Sequence, residues 1–66
     1  MTVAKVVEIS AESPKSFEDA TREGIERATD TLKNVRGAWI KEQKVRVENG
    51  KIVAYRVHLE VTFVLE

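Results

Sequence analysis

The sequence predicts an α+β protein in which three β-strands and one helix follow one another in the order β-α-β-β. Three observations predict this class: a β-branched run before the only proline, a capped amphipathic segment after it, and an Asn-Gly turn between two later segments that alternate. With 66 residues and a mass of 7.5 kDa, the chain is expected to form one domain, over residues 1–66.

Composition argues against several functional classes. Eleven Lys and Arg residues balance 11 Asp and Glu residues, so the formal net charge of zero disfavours nucleic acid and anionic membranes as partners. The absence of cysteine excludes disulfides and thiolate metal sites. No apolar run reaches the ~20 residues of a membrane span, so a cytoplasmic protein is expected. A chain this small is marginally stable without disulfides, so we expect a homo-oligomer.

The first half of the chain predicts a strand, a loop and a helix. Residues Thr2 to Ile9 are rich in β-branched side chains and predict a strand, and Ser10 to Ser16, which contain Pro14, predict a loop. A helix is predicted from Phe17 to Lys33, with Ser16 and Asp19 placed as a capping box. The apolar or small residues of its predicted inner face are Phe17, Ala20, Gly24, Ile25, Ala28 and Leu32. Gly24 is costly inside a helix, which indicates close approach of the sheet or of a neighbouring subunit.

The second half predicts a β-hairpin about Asn49-Gly50, because these residues favour a two-residue type I′ turn. Such a turn places Glu48 opposite Lys51 and fixes the register. The predicted pairs are Ala38 with Val61, Trp39 with Glu60, Ile40 with Leu59, Lys41 with His58, and Gln43 with Arg56. The residues predicted to face the helix are Val53, Tyr55, Val57, Leu59, Val61, Phe63 and Leu65, together with Ala38 and Ile40. Trp39 then lies on the opposite face of the sheet, as do Val45, Val47, Ile52 and Ala54 near the turn.

Element lengths predict an incompletely covered sheet. A strand from Ile52 to Leu65 would run ~45 Å, whereas a helix from Phe17 to Lys33 covers only ~25 Å. The uncovered apolar residues and Trp39 should therefore form an interface or a ligand site. A right-handed β-α-β crossover makes the first two strands parallel, so a fully antiparallel sheet has the strand order 1-3-2.

Four features of the sequence together resemble the dodecin family. They are the short β-α-β-β length, the Ser13-Pro14 loop, the helix exit from Ala28 to Val35, and the closing strand from Tyr55 to Phe63. The resemblance covers essentially the whole chain. It implies a hollow homododecamer that binds flavins at subunit contacts. In such proteins a tryptophan at the start of the second strand stacks on the flavin, and a glutamine in the third strand hydrogen-bonds the ring edge.

This chain departs from that pattern at both positions. The tryptophan position falls on Gly37 and the glutamine position on Arg56, while Trp39 lies two residues further on, on the same strand face and roughly 6–7 Å away. The candidate flavin-contacting residues are Trp39, Arg56, Gly37, His58 and Gln43. Either Trp39 stacks the ligand in a shifted site, or the chain keeps the shell without standard flavin binding. The segment from Val35 to Gln43 is more similar to dodecins without the stacking tryptophan, of which a calcium-binding type is known.

Two functions therefore stay open at the level of sequence. One is a non-enzymatic shell that sequesters riboflavin or FMN, and the other is a shell that binds calcium or another small cargo. An enzyme is disfavoured because no convergent acid–base, metal-ligand or phosphate-loop motif is recognisable. Simpler roles are an interface anchor for Trp39, a surface position for His58, and an ion pair with Glu42 or Glu60 for Arg56. The scattered carboxylates predict solvated surface unless symmetry gathers them from several chains, and the metal ligands are unknown.

Overall fold

The computed structural model describes residues 1–65. It contains β1 (Val3–Ser13), α1 (Phe17–Thr31), β2 (Val35–Glu48) and β3 (Lys51–Leu65). The strands form a three-stranded sheet in the order β1-β3-β2, and both neighbouring pairs are antiparallel. The predicted fold class and strand order are therefore confirmed.

The first strand is longer than predicted, because Ser10 to Ser13 belong to β1 and not to a loop. These residues pair with His58 to Tyr55 of β3, and the strand ends immediately before Pro14, whose nitrogen has no proton to donate. At this end Ser13 is fully buried. Its hydroxyl donates to Asp19 Oδ2 at 2.6 Å and accepts from the Lys15 amide at 2.9 Å. A polar residue is thus accommodated because both of its hydrogen-bonding functions are used.

The helix begins as predicted and ends two residues earlier, at Thr31 instead of Lys33. Ser16 caps it by accepting a 2.9 Å hydrogen bond from the Asp19 amide, whereas the Asp19 carboxylate bonds Ser13 and not Ser16. Gly24 allows the predicted close approach to the sheet. A Cβ atom there would lie 3.1 Å from Ala11 Cβ and 3.3 Å from Leu59 Cδ1.

The hydrophobic core lies between α1 and the middle of β3. Its buried members are Ala20, Ala28, Val57, Leu59 and Val61, with Val7, Ile9, Ala11, Phe17, Ile25, Leu32 and Val35 packed around them. The predicted core was larger than the observed one. On β3, Tyr55 and Phe63 are half-buried and Leu65 is exposed. On β2, Ala38 and Ile40 are exposed because α1 packs on β1 and β3 and barely touches β2.

The hairpin turn and the central register are as predicted, but two β-bulges shift the pairs between them. Glu48 lies opposite Lys51, and Ala38, Trp39 and Ile40 have their predicted partners. The register shifts once between Ile40 and Glu42 and once between Arg46 and Val47. The predicted pairs of Lys41 with His58 and of Gln43 with Arg56 are therefore wrong. Glu42 lies opposite His58, and Gln43 lies opposite Val57. One bulge adds Lys41 to β2 and the other adds Val53 to β3, so the two shifts cancel for the pairs of Ala38, Trp39 and Ile40.

The chain is elongated, with extents of 51 × 19 × 13 Å. Its radius of gyration is 13.6 Å, against about 11 Å expected for a compact chain of this length. Of β2, only Val35 is even partly buried. Among residues 1–65, no helix has both the length and the apolar character needed to cross a membrane. The predicted mismatch between a long hairpin and a short helix is therefore present in the structure.

Candidate functional site

The candidate site lies on the sheet face that points away from α1, which we call the reverse face. Directly opposed residues of an antiparallel pair share a face. Glu8, Ser10 and Glu12 of β1 are opposite Glu60, His58 and Arg56 of β3, and alternate with core residues of β1. Pairing with Glu60 and Thr62 places Trp39 and Gly37 on the same face. Four of the five candidate residues are therefore brought to one surface.

Gln43 is the exception. It lies opposite Val57, whose side chain is fully buried in the core, so the pairing places Gln43 on the helix side of β2. The predicted pairing of Gln43 with Arg56 is wrong because the bulge at Lys41 moves Gln43 to the other face.

Two groups of ion pairs cross the reverse face. In the first, Lys41 Nζ lies 3.4 Å from Glu8 Oε2 and 3.5 Å from Glu60 Oε2, and His58 Nε2 lies 3.0 Å from Glu8 Oε2. The hydrogen bond from His58, followed by that from Lys41, lowers the pKa of Glu8 below its ordinary 4.5. The nearby Glu60 carboxylate, followed by Glu8, raises the pKa of Lys41 above 10.5.

The second group is centred on Glu12. Arg46 Nη2 lies 3.2 Å and Arg56 Nη2 3.1 Å from its carboxylate oxygens, and Arg46 Nη1 also reaches Glu48 at 3.0 Å. The hydrogen bond from Arg46 is the main cause that lowers the pKa of Glu12 below 4.5. The prediction of an ion pair for Arg56 is confirmed, but the partner is Glu12 and not Glu42 or Glu60. Arg46 lies opposite Ala54 and crosses β3 to reach Glu12, and Ala54 is only 3% exposed.

A small polar cavity lies where the two groups meet. Its volume is about 100 Å³, and its lining residues are Ser10, Glu42, Lys44, Arg56 and His58. The bulge at Lys41 brings Glu42 to this wall by placing it opposite His58. The cavity combines hydroxyl, ammonium, guanidinium and imidazole donors with a single carboxylate.

Trp39 presents a large free aromatic surface beside these charges. Its side chain is 65% exposed, and a Cβ atom built at Gly37 would meet nothing within 4 Å. Trp39 therefore offers an open face on which an aromatic ring can stack. Arg56 fits the family role of the glutamine less well, because a guanidinium donates and cannot accept a ring N–H, and it is already bonded to Glu12.

Sequence reasoning missed the contribution of β1. The sequence predicts a loop for Ser10 and Glu12 and solvated surface for Glu8, although these three residues alternate with Val7, Ile9 and Ala11. That alternation is the signal that could have placed all three on one sheet face. Within residues 1–65, no group of three or more acidic or histidine side chains is arranged to hold a metal ion. Glu8, Glu12 and Glu60 each lie beside a cation of this chain.

Comparison with known proteins gives consistent similarities. The family model described as Dodecin matches residues 3–66. Calcium dodecin of Mycobacterium tuberculosis is 40% identical over 63 residues, which cover 96% of this chain and 89% of that protein. The solved structure of a dodecin from Streptomyces davaonensis has a TM-score of 0.93 at 31% identity, covering 98% of this chain and 96% of that one. A structure of the M. tuberculosis calcium dodecin, described as calcium chelating with a novel calcium-binding site, has a TM-score of 0.84 at 42% identity, covering 97% and 91%.

Proposed function

The chain belongs to the dodecin family, and we propose that it forms a non-enzymatic homododecameric shell that binds a flavin, riboflavin or FMN, at contacts between subunits. Members of this family are homo-oligomers that bind small molecules. The observation that carries the proposal is Trp39, a tryptophan that is 65% exposed on the uncovered face of the sheet. An exposed tryptophan in that position supports both subunit contact and stacking of an aromatic ligand.

Assembly is supported by the amount of apolar surface that one chain leaves uncovered. Exposed large apolar side chains occur on all three strands, on both sides of the turn and at both ends of the sheet: Val3, Val6, Trp39, Ile40, Val45, Val47, Ile52 and Leu65. In a monomer, β1 and β2 would also present their outer edges to solvent. A closed oligomer removes apolar surface and strand edges from water together.

Flavin binding is supported by the chemistry around Trp39. Stacked aromatic rings lie about 4.5–7 Å apart between centroids, and a ring at that distance from Trp39 would cover the open position at Gly37. Arg56 can donate to the ring carbonyls or to a phosphate but cannot accept the ring N–H. We therefore expect weaker binding of the bare ring than in family members that carry glutamine. A binding role without turnover is consistent with a reverse face whose charged groups are bonded to one another.

Quenching of flavin fluorescence tests this proposal. Titration of riboflavin and FMN with the assembled protein should quench their emission, because stacking brings Trp39 into contact with the ring. Trp39→Ala should abolish the quenching, and Trp39→Phe, which keeps an aromatic face, should restore part of it. Sedimentation of each variant shows whether the shell persists. Loss of the oligomer in Trp39→Ala would identify an interface anchor instead, and no quenching by the parent protein at high micromolar flavin would contradict flavin binding.

Calcium is the second candidate, favoured by the 40% identity to a relative named calcium dodecin. Because Glu8, Glu12 and Glu60 lie beside cations of their own chain, a calcium site would need carboxylates from several subunits. Calorimetric titration of the chelator-treated oligomer with Ca²⁺ tests this alternative. A saturable heat, together with a higher unfolding temperature in Ca²⁺ than in Mg²⁺, would support it; no heat would contradict it.

A further inference from the structure

We propose that Asn49 is a site of spontaneous deamidation, and that the isoaspartate formed there opens the hairpin turn and weakens the assembly. The chain contains two asparagines, Asn34 and Asn49. Both are exposed and both have positive φ, at 61° and 53°. They differ in the residue that follows and in the hydrogen bonds that hold them, and these differences make Asn49 the reactive one. The reaction itself involves no ligand, whereas its effect on assembly rests on the proposed shell.

Deamidation begins when the backbone nitrogen of the next residue attacks the side-chain amide carbon. As the Gly50 nitrogen bonds to Asn49 Cγ, a succinimide ring closes, and the side-chain nitrogen leaves as ammonia together with the amide proton of Gly50. Water then opens the ring. Attack of water at Cγ gives aspartate, whereas attack at the backbone carbonyl carbon gives isoaspartate, in which the main chain runs through the former side chain. Asparagine is among the thermolabile residues of proteins.

Gly50 presents an unshielded nitrogen for this attack. It has no side chain, and a Cβ atom built on it would meet nothing within 4 Å, so there is free space around the turn. Among residues 1–65, the Gly50 amide donates no backbone hydrogen bond, and the Asn49 carboxamide has no hydrogen-bond partner. Both reacting groups can therefore change conformation without breaking a hydrogen bond of their own.

Asn34 lacks both of these conditions. It is followed by Val35, whose branched side chain crowds the attacking nitrogen and is half-buried against the core. The Asn34 carbonyl also accepts a 3.0 Å hydrogen bond from the Val64 amide, which ties this residue to the end of β3. The two asparagines therefore form an internal comparison, in which the same side chain and the same backbone region occur with and without a following glycine.

Isoaspartate is incompatible with the turn that the hairpin uses. The two-residue type I′ turn places Glu48 opposite Lys51, and isoaspartate lengthens its backbone by a methylene group. The end of the hairpin must then rearrange, which displaces the neighbouring pair of Val47 and Ile52. These side chains are 55% and 51% exposed and belong to the apolar surface that we expect assembly to cover. Isoaspartate should therefore weaken contacts between subunits, whereas aspartate, which also suits a type I′ turn, should not.

Ageing of the assembled protein at mildly alkaline pH tests the reaction. Peptide mass spectrometry should show progressive conversion of Asn49 with Asn34 unchanged, and slower conversion at mildly acidic pH, because the attacking nitrogen must lose its proton. A protein-isoaspartate methyltransferase with labelled S-adenosylmethionine should label the aged protein and not the fresh one. Asn49→Gly is the matched control, since a Gly-Gly turn also suits type I′, and it should assemble and take up no label. No conversion of Asn49, or equal conversion of both asparagines, would overturn the inference.

Sedimentation of the aged protein tests the effect on assembly. Isoaspartate should be enriched in the slowly sedimenting species. Asn49→Asp, measured directly after purification, should stay in the large particle, because it adds the charge without lengthening the backbone. Equal isoaspartate in both fractions, or dissociation of Asn49→Asp, would refute the role of the turn geometry. A parent protein that is monomeric when fresh would refute the shell and this effect, but not the deamidation.

Discussion

Leu59→Ala is the substitution whose effect follows most directly from the packing. Leu59 is fully buried in the central strand, and its Cδ1 atom lies where a Cβ atom at Gly24 would be only 3.3 Å away. Because Gly24 has no side chain, the helix has no group at that point that could fill the space. The loss should therefore fall in the upper half of the range of about 2–5 kcal/mol for a buried leucine truncated to alanine.

That loss is large for a chain of this size. Typical stabilities of about 0.05–0.15 kcal/mol per residue correspond to about 3–10 kcal/mol for this chain. Denaturant unfolding followed by circular dichroism, with sedimentation of the same samples, should show a much lower midpoint and a partly or wholly dissociated oligomer. Leu65→Ala is the control, because it makes the same change on the same strand at a side chain that is 47% exposed. It should lower the free energy of unfolding of the chain by only about 1 kcal/mol. An unchanged midpoint and an intact oligomer for Leu59→Ala would show that the core has been assigned to the wrong face.

Two further predictions concern the helix start and the ion pairs. Ser16→Ala removes the acceptor of the Asp19 amide and should lower the free energy of unfolding by about 1 kcal/mol, measured by denaturant titration; no change would show that the cap is dispensable. The lowered pKa values of Glu8 and Glu12 mean that their pairing stabilises the fold above pH 4.5 and is lost as the pH falls further. Lys41, whose pKa is raised, stabilises the fold below pH 10.5 and loses this contribution above it. Thermal unfolding across pH should therefore show a stability plateau with a fall at low and at high pH, and both falls should become smaller in high salt. A midpoint that rises below pH 4.5 would contradict the ion-pair account.

Much of the fold could be predicted because local and tertiary preferences agree. The Asn49-Gly50 turn adopts positive φ at both residues, with values of 53° and 75°, as the type I′ hairpin requires. The Ser16 cap and the small residue at Gly24 each indicated a feature that the structure contains. The alternation of Val57, Leu59 and Val61 identified the centre of the core.

The wrong predictions of register and burial concern features that depend on how the strands and the helix pack together. A β-bulge increases the local twist of a long hairpin. The sequence next to Lys41 has no glycine or proline that would indicate a bulge there. Ile40 was expected in the core because its partner Leu59 is there, but the position of the helix over β1 and β3 leaves β2 exposed. The sequence predicts a loop for Ser10 and Glu12, whereas both belong to β1 and form one side of the reverse face.

The candidate site was predicted less completely than the fold. Trp39, Arg56 and His58 were singled out from β2 and β3, and pairing brings them to one face. Glu8 and Glu12, which bond His58 and Arg56, lie 50 and 44 residues away from them in sequence, so only the sheet topology reveals the ion pairs. Contacts between symmetry-related subunits depend on the assembly and leave no periodic pattern in the sequence of one chain.

Sedimentation velocity of the protein mixed with FMN, recorded at the visible absorption band of the flavin, follows assembly and flavin binding in one experiment. We expect the flavin absorbance to sediment with a single particle of about twelve chains of 7.5 kDa, and the Trp39→Ala particle to sediment without it. A monomer, or a large particle whose flavin stays in the slowly sedimenting fraction, would show that the protein is not a flavin-binding shell.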